Sequence, residues 1–218
     1  MVVYIIVLII SYLIGSINFS IILSKKLAGF DLREKGSGNA GTTNMLRTVG
    51  KKAALLTLIC DILKGVVPVV LAVLVGNIAN HFGAELRVEY MAQVAGIGTI
   101  IGHTFPLYFG FKGGKGVASS LGLVLIINWQ VGLICLVFAL LIMAVTRMVS
   151  LGSISAAILF LVLTIFRVGA QYYIVQGNYM IFGLVLALIV IFNHRSNIKR
   201  LLNGTENKLS FKKKETEE

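Results

Sequence analysis

Three polar stretches in an otherwise apolar chain carry the side chains that could do chemistry. The most unusual is residues 110–120, GFKGGKGVASS, in which Lys112 and Lys115 stand among glycines that include Gly113 and Gly114. Two ammonium groups beside a backbone that can approach a ligand closely are suited to holding a phosphate. A basic loop on the inner side of a membrane would explain the lysines but not the glycines. We therefore favour phosphate binding for this stretch.

The second stretch, residues 34–47, contains Gly36, Gly38 and Gly41 at the spacing G-x-G-x-x-G. In dinucleotide-binding proteins that spacing follows a β-strand and opens a helix within a βαβ unit. Here the charged sequence DLREK leads into it, so we reject a dinucleotide site. The sequence also lacks G-x-x-x-x-G-K-[ST], which argues against a nucleotide P-loop.

Hydrogen-bonding side chains and one cation fill the rest of this second stretch. They are Ser37, Asn39, Thr42, Thr43, Asn44 and Arg47. The glycines would let successive backbone N–H groups converge on an anion, and a short helix beginning at Thr43 or Asn44 would point its N-terminus at negative charge. A surface turn followed by a capped helix explains the same residues equally well. Taken alone, the stretch does not decide between the two.

The third stretch follows the last apolar run and contains His194, Arg195 and Asn197. His194 and Asn197 are three residues apart, so a helix would place them on one face. A histidine and an arginine at a membrane boundary also serve as simple anchors, and this alternative stays open. Ser150, just after Arg147 at a tight turn between apolar runs, is expected on the same side of the membrane.

The elements that must position these residues are predicted to be membrane-spanning helices. The mean hydropathy is +0.90, and only 13% of the residues are charged. Apolar runs of about 20 residues, the length that crosses a bilayer as a helix, recur along the chain. We therefore predict an all-α, polytopic membrane protein. Cys60 and Cys135 lie inside apolar runs and are interpreted as small buried hydrophobic residues.

Seven spans are predicted, and the first is interpreted as a span rather than a removable signal peptide. They are residues 2–24, 53–75, 90–109, 116–129, 131–148, 151–168 and 173–192. Most of the 20 Lys and Arg lie in the linkers of one side, whereas Arg87 and Arg167 lie on the other. The positive-inside bias then predicts an outside N-terminus and a cytoplasmic C-terminus. All three polar stretches fall on the cytoplasmic side.

One predicted span is too short to cross the bilayer from surface to surface. Residues 117–127 give about eleven uninterrupted helical residues, some 17 Å. The adjoining loop of residues 112–116 is therefore expected to be drawn inward, where irregular backbone must be buried in protein or line a wet cavity. The last span is also short, with the polar residues 176–178 at its outer end.

The net charge of +11 is concentrated near the membrane and in the tail, which contains Lys208, Lys212, Lys213 and Lys214. These lysines are not interleaved with aromatic residues in a nucleic-acid-binding pattern, so no nucleic-acid partner is expected. The tail is interpreted as a solvated end that touches anionic membrane lipid. The expected organisation is one membrane domain, residues 1–198, followed by a charged cytoplasmic tail, residues 199–218.

Taken together and in this order, the motifs resemble the bacterial acyl-phosphate:glycerol-3-phosphate acyltransferases. The resemblance rests on GSGNAGTTN (36–44) with Arg47, on DILKG (61–65), on GHTFPLYFGFKGGKGVA (102–118) and on HRSNI (194–198). It covers essentially the whole chain apart from the tail beyond Lys199. Ser119 stands where the family more often has threonine, an exchange that keeps the hydroxyl.

The resemblance implies seven spans, a bacterial cell membrane location and an active site that faces the cytoplasm. It implies that an acyl group moves from acyl phosphate to the 1-hydroxyl of glycerol 3-phosphate, giving lysophosphatidic acid for phospholipid synthesis. Neither acyl-CoA nor acyl-carrier protein would be the donor, and no metal or other cofactor would be required. His followed five positions later by Asp, the motif of the other large glycerolipid acyltransferase class, does not occur.

The residues expected to act follow from the polar stretches and the resemblance together. The expected catalytic residues are His194, Lys115, Ser37 and Asn197. The expected substrate-binding residues are Gly36, Gly38, Asn39, Gly41, Thr43, Asn44, Arg47, Lys112, Gly113, Gly114, Ser150 and Arg195. Few acids are expected near these cations. The proton of the attacking hydroxyl would pass either to His194 or to a substrate phosphate. A functional monomer is compatible with the sequence.

Two other functions are considered. A transporter of an organic phosphate would explain Asp61 and Lys64, three residues apart in an apolar span with Pro68 a turn later, because intramembrane charges often line solute paths. The alternative for these two residues is an internal ion pair, which we prefer. A non-catalytic membrane scaffold would leave the three glycine-rich or basic stretches without a role.

Overall fold

The computed structural model describes residues 1–169 and 179–209, and every regular element in this part of the chain is helical. The helices are α1 (Val2–Gly15), α2 (Phe19–Ala28), α3 (Thr42–Thr48), α4 (Lys51–His81), α5 (Val88–Thr104), α6 (Val117–Ile127), α7 (Trp129–Thr146), α8 (Val149–Ile165), α9 (Tyr179–Asn193) and α10 (Arg195–Leu202). Two 3-10 turns, Leu32–Glu34 and Leu107–Phe109, lie in the polar loops. The predicted all-α class is confirmed.

Three helical stretches are long and apolar enough to cross a membrane: Val2–Ala28, Lys51–His81 and Trp129–Thr146. Helices α9 and α10 qualify together as a fourth, although the chain bends by 60° between them. Helices α6 and α8 are apolar but shorter. The count of seven spans and the orientation of the termini therefore remain predictions.

The helix ends differ from the predicted spans where side chains or proline intervene. The first span is broken at residues 16–18, and Asn18 caps α2 by accepting a hydrogen bond from the Ile21 N–H at 3.3 Å. The third helix ends at Thr104, five residues early, because the residue before Pro106 is forced out of the helical conformation. The first six residues of the predicted last span, including the polar residues 176–178, lie outside the described part of the chain.

Helix α5 occupies the centre of the bundle and packs most closely against α1. A Cβ added at Gly102 would collide with the carbonyl of Tyr12, so glycine is what lets the two backbones approach. The other side of α5 contributes to a core that includes Ile100, Leu123 of α6 and Phe182 of α9. By contrast, Leu55, Leu63 and other large apolar residues of α4 are exposed, as expected for a lipid-facing surface.

The alternating direction of successive helices brings all the polar stretches to one end of the bundle. The Asn193 amide at the end of α9 donates to Thr104 Oγ1 at the end of α5, at 3.0 Å. The backbone N–H of Leu209 donates to the Arg147 carbonyl in the turn between α7 and α8, at 2.8 Å. The segment after α10 therefore folds back onto the bundle, and the predicted domain boundary at residue 198 falls inside α10.

Candidate anion-binding site

The glycine–lysine loop folds back onto the end of α5. Gly113 N–H donates to the Thr104 carbonyl at 3.0 Å, and Gly114 N–H donates to the His103 carbonyl at 3.1 Å. These bonds satisfy carbonyls that the end of a helix leaves without partners. A Cβ at Gly114 would collide with the His103 ring and the Ala40 carbonyl. Gly114 thus allows the loop to pack closely against His103 and Ala40, and the N–H groups of both glycines bond to α5.

Lys115 follows this turn and starts a chain of hydrogen bonds that joins three segments. Its Nζ donates to Asn197 Oδ1 in α10. The Asn197 Nδ2 donates to Glu206 Oε1 at 2.9 Å, and the other oxygen of Glu206 accepts from Arg200 Nε at 2.9 Å. The loop after α5, helix α10 and the segment that follows α10 are therefore held together around one ammonium group.

The charges in this cluster do not balance. Burial and the positive charges of Arg200 and Arg47 together lower the pKa of Lys115 to about 8, although Glu206 opposes the shift. Burial also lowers the pKa of Arg47, again with Glu206 opposing. Within the described residues, Arg47, Lys115 and Arg200 are thus close enough to interact around one carboxylate, that of Glu206. An arrangement with excess positive charge is suited to an anionic ligand.

His194 lies between α9 and α10 and is 2% exposed. Its Nδ1 is 2.8 Å from the Val190 carbonyl. Because a carbonyl can only accept, Nδ1 carries the hydrogen and Nε2 keeps its lone pair. Burial and the neighbouring charge of Lys115 lower the pKa of His194 to about 4. The imidazole is therefore neutral near pH 7, with Nε2 as a hydrogen-bond acceptor.

The small-residue loop is shaped by Asn44 rather than by a ligand. The Asn44 amide donates to the carbonyls of Leu32 and Lys35, at 3.1 and 3.0 Å, and its oxygen accepts from the Ser37 N–H at 3.0 Å. Gly36 has a φ of 61° and lies directly against the Asn44 side chain, where a Cβ would not fit. Asn44 and Gly36, both predicted to bind substrate, are thus committed to closing the loop.

The rest of this loop leads into α3. Helix α3 begins at Thr42, within a residue or two of the predicted start, with Gly41 at its N-cap. Ser37 is exposed, and Asn39 is half-buried. The proposed ligand contacts of Ser37, Gly38, Asn39, Gly41 and Thr43 remain predictions.

Two of the predicted cations lie apart from the cluster. Lys112 is exposed, and Arg195 lies over the Phe192 ring, 4.6 Å from its centre, with a hydrogen bond to the Phe192 carbonyl at 3.3 Å. Ser150, at the start of α8, is placed near Glu206. Its Oγ is buried and lies within reach of the Glu206 carboxylate. Ser150 therefore places a hydroxyl beside the cluster.

One acid, Glu206, was not predicted to lie beside these cations. Partial burial would raise the pKa of Glu206, but contacts with Asn197, Ser150 and Arg200 lower it overall. The sequence contained a signal for this residue, because an Asn-Gly pair after a helix is typical of a chain reversal. Gly204 has a φ of 68°, and the reversal returns Glu206 to α10.

Arg200 and Arg33 were also missed. Arg200 lies one turn beyond Asn197 on α10, so the helical spacing could have indicated it. No signal in the sequence distinguishes Arg33 from the other basic residues of its loop. Among the residues that the structure describes, no three His, Cys, Asp or Glu come together as a metal site.

Comparison with known proteins places the chain among lipid-synthesising membrane enzymes. A family model described as glycerol-3-phosphate acyltransferase matches residues 5–204. The glycerol-3-phosphate acyltransferase of Clostridioides difficile (strain 630) is 43% identical over 215 residues, covering 96% of this chain and 97% of that protein. That of Thermoanaerobacter pseudethanolicus is 44% identical over 205 residues, covering 94% of each.

Solved structures give the same result for the fold. The glycerol 3-phosphate form of PlsY (YgiH), an integral membrane glycerol 3-phosphate acyltransferase, superposes with a TM-score of 0.79 at 39% identity. The match covers 95% of this chain and 96% of that one. The lysophosphatidic acid form of PlsY matches with a TM-score of 0.77 at 36% identity, covering 95% of each chain.

Proposed function

This chain belongs to the glycerol-3-phosphate acyltransferase family, and from that premise we propose that it transfers an acyl group from acyl phosphate to the 1-hydroxyl of glycerol 3-phosphate. The product is lysophosphatidic acid, the starting point for phospholipids. The related PlsY structures are described as glycerol 3-phosphate and lysophosphatidic acid forms, which correspond to the acceptor and the product of this reaction.

The observation that carries the proposal is the positive excess around Lys115. Both substrates bear phosphate, and their mutual repulsion must be offset when they are brought together. Lys115, Arg47 and Arg200 supply cations, whereas Glu206 is the carboxylate that interacts with them. A cluster with excess positive charge is suited to anionic ligands. A scaffold or a surface that contacts neutral lipid would not need such an excess.

Lys115 and Arg47 are proposed to hold the phosphate of glycerol 3-phosphate, with Asn197 fixing the Lys115 ammonium. Ser150 is proposed to contribute a hydroxyl at the same end of the bundle. The loop of residues 36–41 is proposed to hold the donor phosphate, with Ser37 facing it. The acyl chain would then extend into a groove between helices that is open to lipid.

The chemistry needs little activation, because an acyl phosphate is a mixed anhydride with a good leaving group. The glycerol 1-oxygen bonds to the acyl carbon, and the bond from that carbon to the phosphate oxygen breaks. The departing phosphate gains the proton that the hydroxyl loses, so the step balances without an external acid or base. Fixed orientation of two reactants is the main contribution of the protein, worth up to about 7–11 kcal/mol in well-aligned systems.

His194 is proposed to orient the attacking hydroxyl. A base with a pKa of about 4 binds a proton weakly at neutral pH, so a substrate phosphate is the better final acceptor. The Nε2 lone pair of His194 can still accept a hydrogen bond from the hydroxyl and aim its oxygen at the acyl carbon. Of the two proton routes that the sequence leaves open, the route to a substrate phosphate is therefore the one proposed.

The enzyme is proposed to work in the bacterial cell membrane with its site facing the cytoplasm, where the basic linkers are expected. It is also proposed to act as a monomer. The Asp61–Lys64 pair gives no support to a transport path. The two side chains are 3.0 Å apart, and Lys64 also donates to the Ile17 carbonyl at 2.8 Å.

The test is a transfer assay with purified protein in detergent, acyl phosphate and radiolabelled glycerol 3-phosphate. Label should move into the lipid-soluble fraction only when acyl phosphate is present. Parallel reactions with acyl-CoA and with acyl-carrier protein identify the donor. Transfer from either of these and not from acyl phosphate would overturn the donor assignment, and absence of lipid-soluble label with every donor would overturn the enzyme function.

A further inference from the structure

Arg33 joins the two loops that the proposed function assigns to the two substrates. Its Nε and Nη2 donate to the two oxygens of Asp31, at 2.9 and 2.8 Å. Its Nη1 reaches across to the loop after α5 and donates to the carbonyls of Phe109 and Lys112, at 2.7 and 3.1 Å. One guanidinium therefore bridges residues that are 76 and 79 positions apart in sequence.

The segment that Arg33 holds is the tip of the glycine–lysine loop, residues 109–112. Gly110 and Phe111 both adopt positive φ angles there, 65° and 59°. Positive φ in a residue with a large side chain costs about 1–3 kcal/mol and persists only where the surroundings impose it. The Gly113 and Gly114 hydrogen bonds hold the base of the loop. At its tip the N–H groups of Phe109 and Phe111 donate to the Pro106 carbonyl, and Arg33 adds a contact from another loop.

We propose that Arg33 is a positioning residue for acyl transfer. By fixing the tip of the loop, it holds Lys115 against Asn197. It also keeps the loop of residues 36–41, proposed to hold the donor phosphate, at a fixed position relative to the glycine–lysine loop. The inference rests on the proposed function of the site. It assigns Arg33 no contact with either substrate.

The charge of Arg33 is already used inside the protein. The Asp31 carboxylate, 10% exposed, pairs with Arg33 at 2.8 Å and with Lys25 at 3.2 Å. Arg33 in turn lowers the pKa of Asp31, which therefore stays ionised. Four of the guanidinium hydrogen bonds have protein acceptors, which leaves little capacity to bind a phosphate. Arg33 is thus suited to geometry rather than to binding an anion.

The variants are Arg33→Met, which removes every hydrogen bond of the guanidinium, and Arg33→Lys, which keeps the charge but cannot span both carbonyls and the carboxylate. Asp31→Asn leaves the two carbonyl contacts available, weakens the support of the guanidinium and removes the ion pair with Lys25. Lys26→Met is the matched control, because Lys26 is an exposed cation in the last turn of α2 on the same side. Melting in detergent establishes that each variant is folded.

We expect kcat to fall about 10²-fold in Arg33→Met, since a displacement of about 1 Å in a reacting site has that cost. Arg33→Lys should lose most of the same activity, Asp31→Asn less, and Lys26→Met should match the wild type. If Arg33 acted only through its charge, Arg33→Lys would keep the wild-type kcat. Arg33→Lys with wild-type kcat would overturn the proposal, as would a raised KM with unchanged kcat in Arg33→Met.

A pH profile separates positioning of Lys115 from a general loss of structure. The groups that act on Lys115 are Arg47 of α3, His194, Arg200 of α10 and Glu206 of the following segment. In the wild type, activity should decline above about pH 8, as Lys115 loses its proton. In Arg33→Met and Arg33→Lys, Lys115 becomes more exposed, and the decline should move toward its ordinary pKa of 10.5.

The two proposals fail in different ways. If the wild type makes no lipid-soluble product, the proposed function is wrong. If the wild type is active and the alkaline decline of folded Arg33→Met and Arg33→Lys stays at the wild-type pH, the positioning role is wrong. Hydrogen–deuterium exchange over residues 105–116 gives a readout without substrate, and exchange that is no faster in Arg33→Met than in Lys26→Met would also reject it.

Discussion

Charge is buried in two regions of this molecule, and the two regions differ in how it is balanced. In the interior of the bundle, Asp61 and Lys64 of α4 are each 2% exposed and pair at 3.0 Å, one anion with one cation. At the end of the bundle, Lys115, Arg47 and Arg200 interact around Glu206, the one carboxylate beside them in residues 1–169 and 179–209. The charges of the first region cancel, whereas the second region has more positive than negative charge.

The two regions also differ in how many segments they need. Asp61 and Lys64 are three residues apart on one helix, so helix formation alone brings them together. The cluster around Lys115 needs the loop after α5, helices α3 and α10, and the segment that follows α10. Local pairing can neutralise charge within a membrane, whereas an excess of one sign requires distant segments to be held against mutual repulsion. Such an arrangement is expected where an external anion completes the balance.

The largest expected effect in this comparison is that of Lys115→Met on activity. Removal of one preorganised charge from a reacting site costs about 10²–10³-fold in kcat. We expect a loss of at least this size in the transfer assay, because the ammonium also fixes Asn197. Lys51→Met, which removes an exposed cation at the start of α4, is the control. Lys115→Met with the kinetics of that control would remove the phosphate-binding role.

Asp61→Asn should be nearly as severe, but for stability rather than chemistry. The substitution leaves Lys64 charged and buried without its partner. Loss of one partner of a buried ion pair lowers the free energy of unfolding by about 3–5 kcal/mol. The double variant Asp61→Asn/Lys64→Met removes both charges and should recover most of that loss. Melting temperatures in detergent measure both effects.

The outcome of this pair of variants decides whether the interior region is structural. A double variant that melts near the wild type and still transfers acyl groups would establish Asp61 and Lys64 as an internal ion pair. If it melts normally but loses activity, the pair takes part in function, and the contrast between the two regions breaks down.

Glu206→Gln should have a smaller effect whose direction is specific. The carboxylate raises the pKa of Lys115, so its removal lowers that pKa below about 8. The ammonium then loses its proton at lower pH, and the alkaline decline of activity moves down, opposite to the shift expected for Arg33→Met. The lost charge-assisted bonds to Arg200 and Asn197 should reduce stability by about 1–3 kcal/mol. A decline that moves up would contradict this account of the cluster.

The sequence indicated the helices and the polar stretches, since hydrophobic runs and glycine spacing are local signals. It also predicted that Lys115, His194 and Asn197 act together, and the structure brings these three into one cluster. Arg33 could not be weighed in the same way, because its importance comes from acceptors 76 and 79 positions away. The same reason applies to Gly113 and Gly114, whose N–H groups bond to α5 instead of facing a ligand.

His194→Ala is expected to have the smallest effect, and it tests the last difference between the two regions. His103, in the interior, lies 3.8 Å from Asp61, whereas His194 faces the cluster with a neutral ring. If His194 only orients the hydroxyl, kcat should fall less than about tenfold, because loss of a true general base costs about 10²–10⁴-fold. The KM for glycerol 3-phosphate should rise at the same time. His81→Ala, at the far end of α4, is the control. A loss of kcat in the range of a general base, with KM unchanged, would instead make His194 the proton acceptor despite its low pKa.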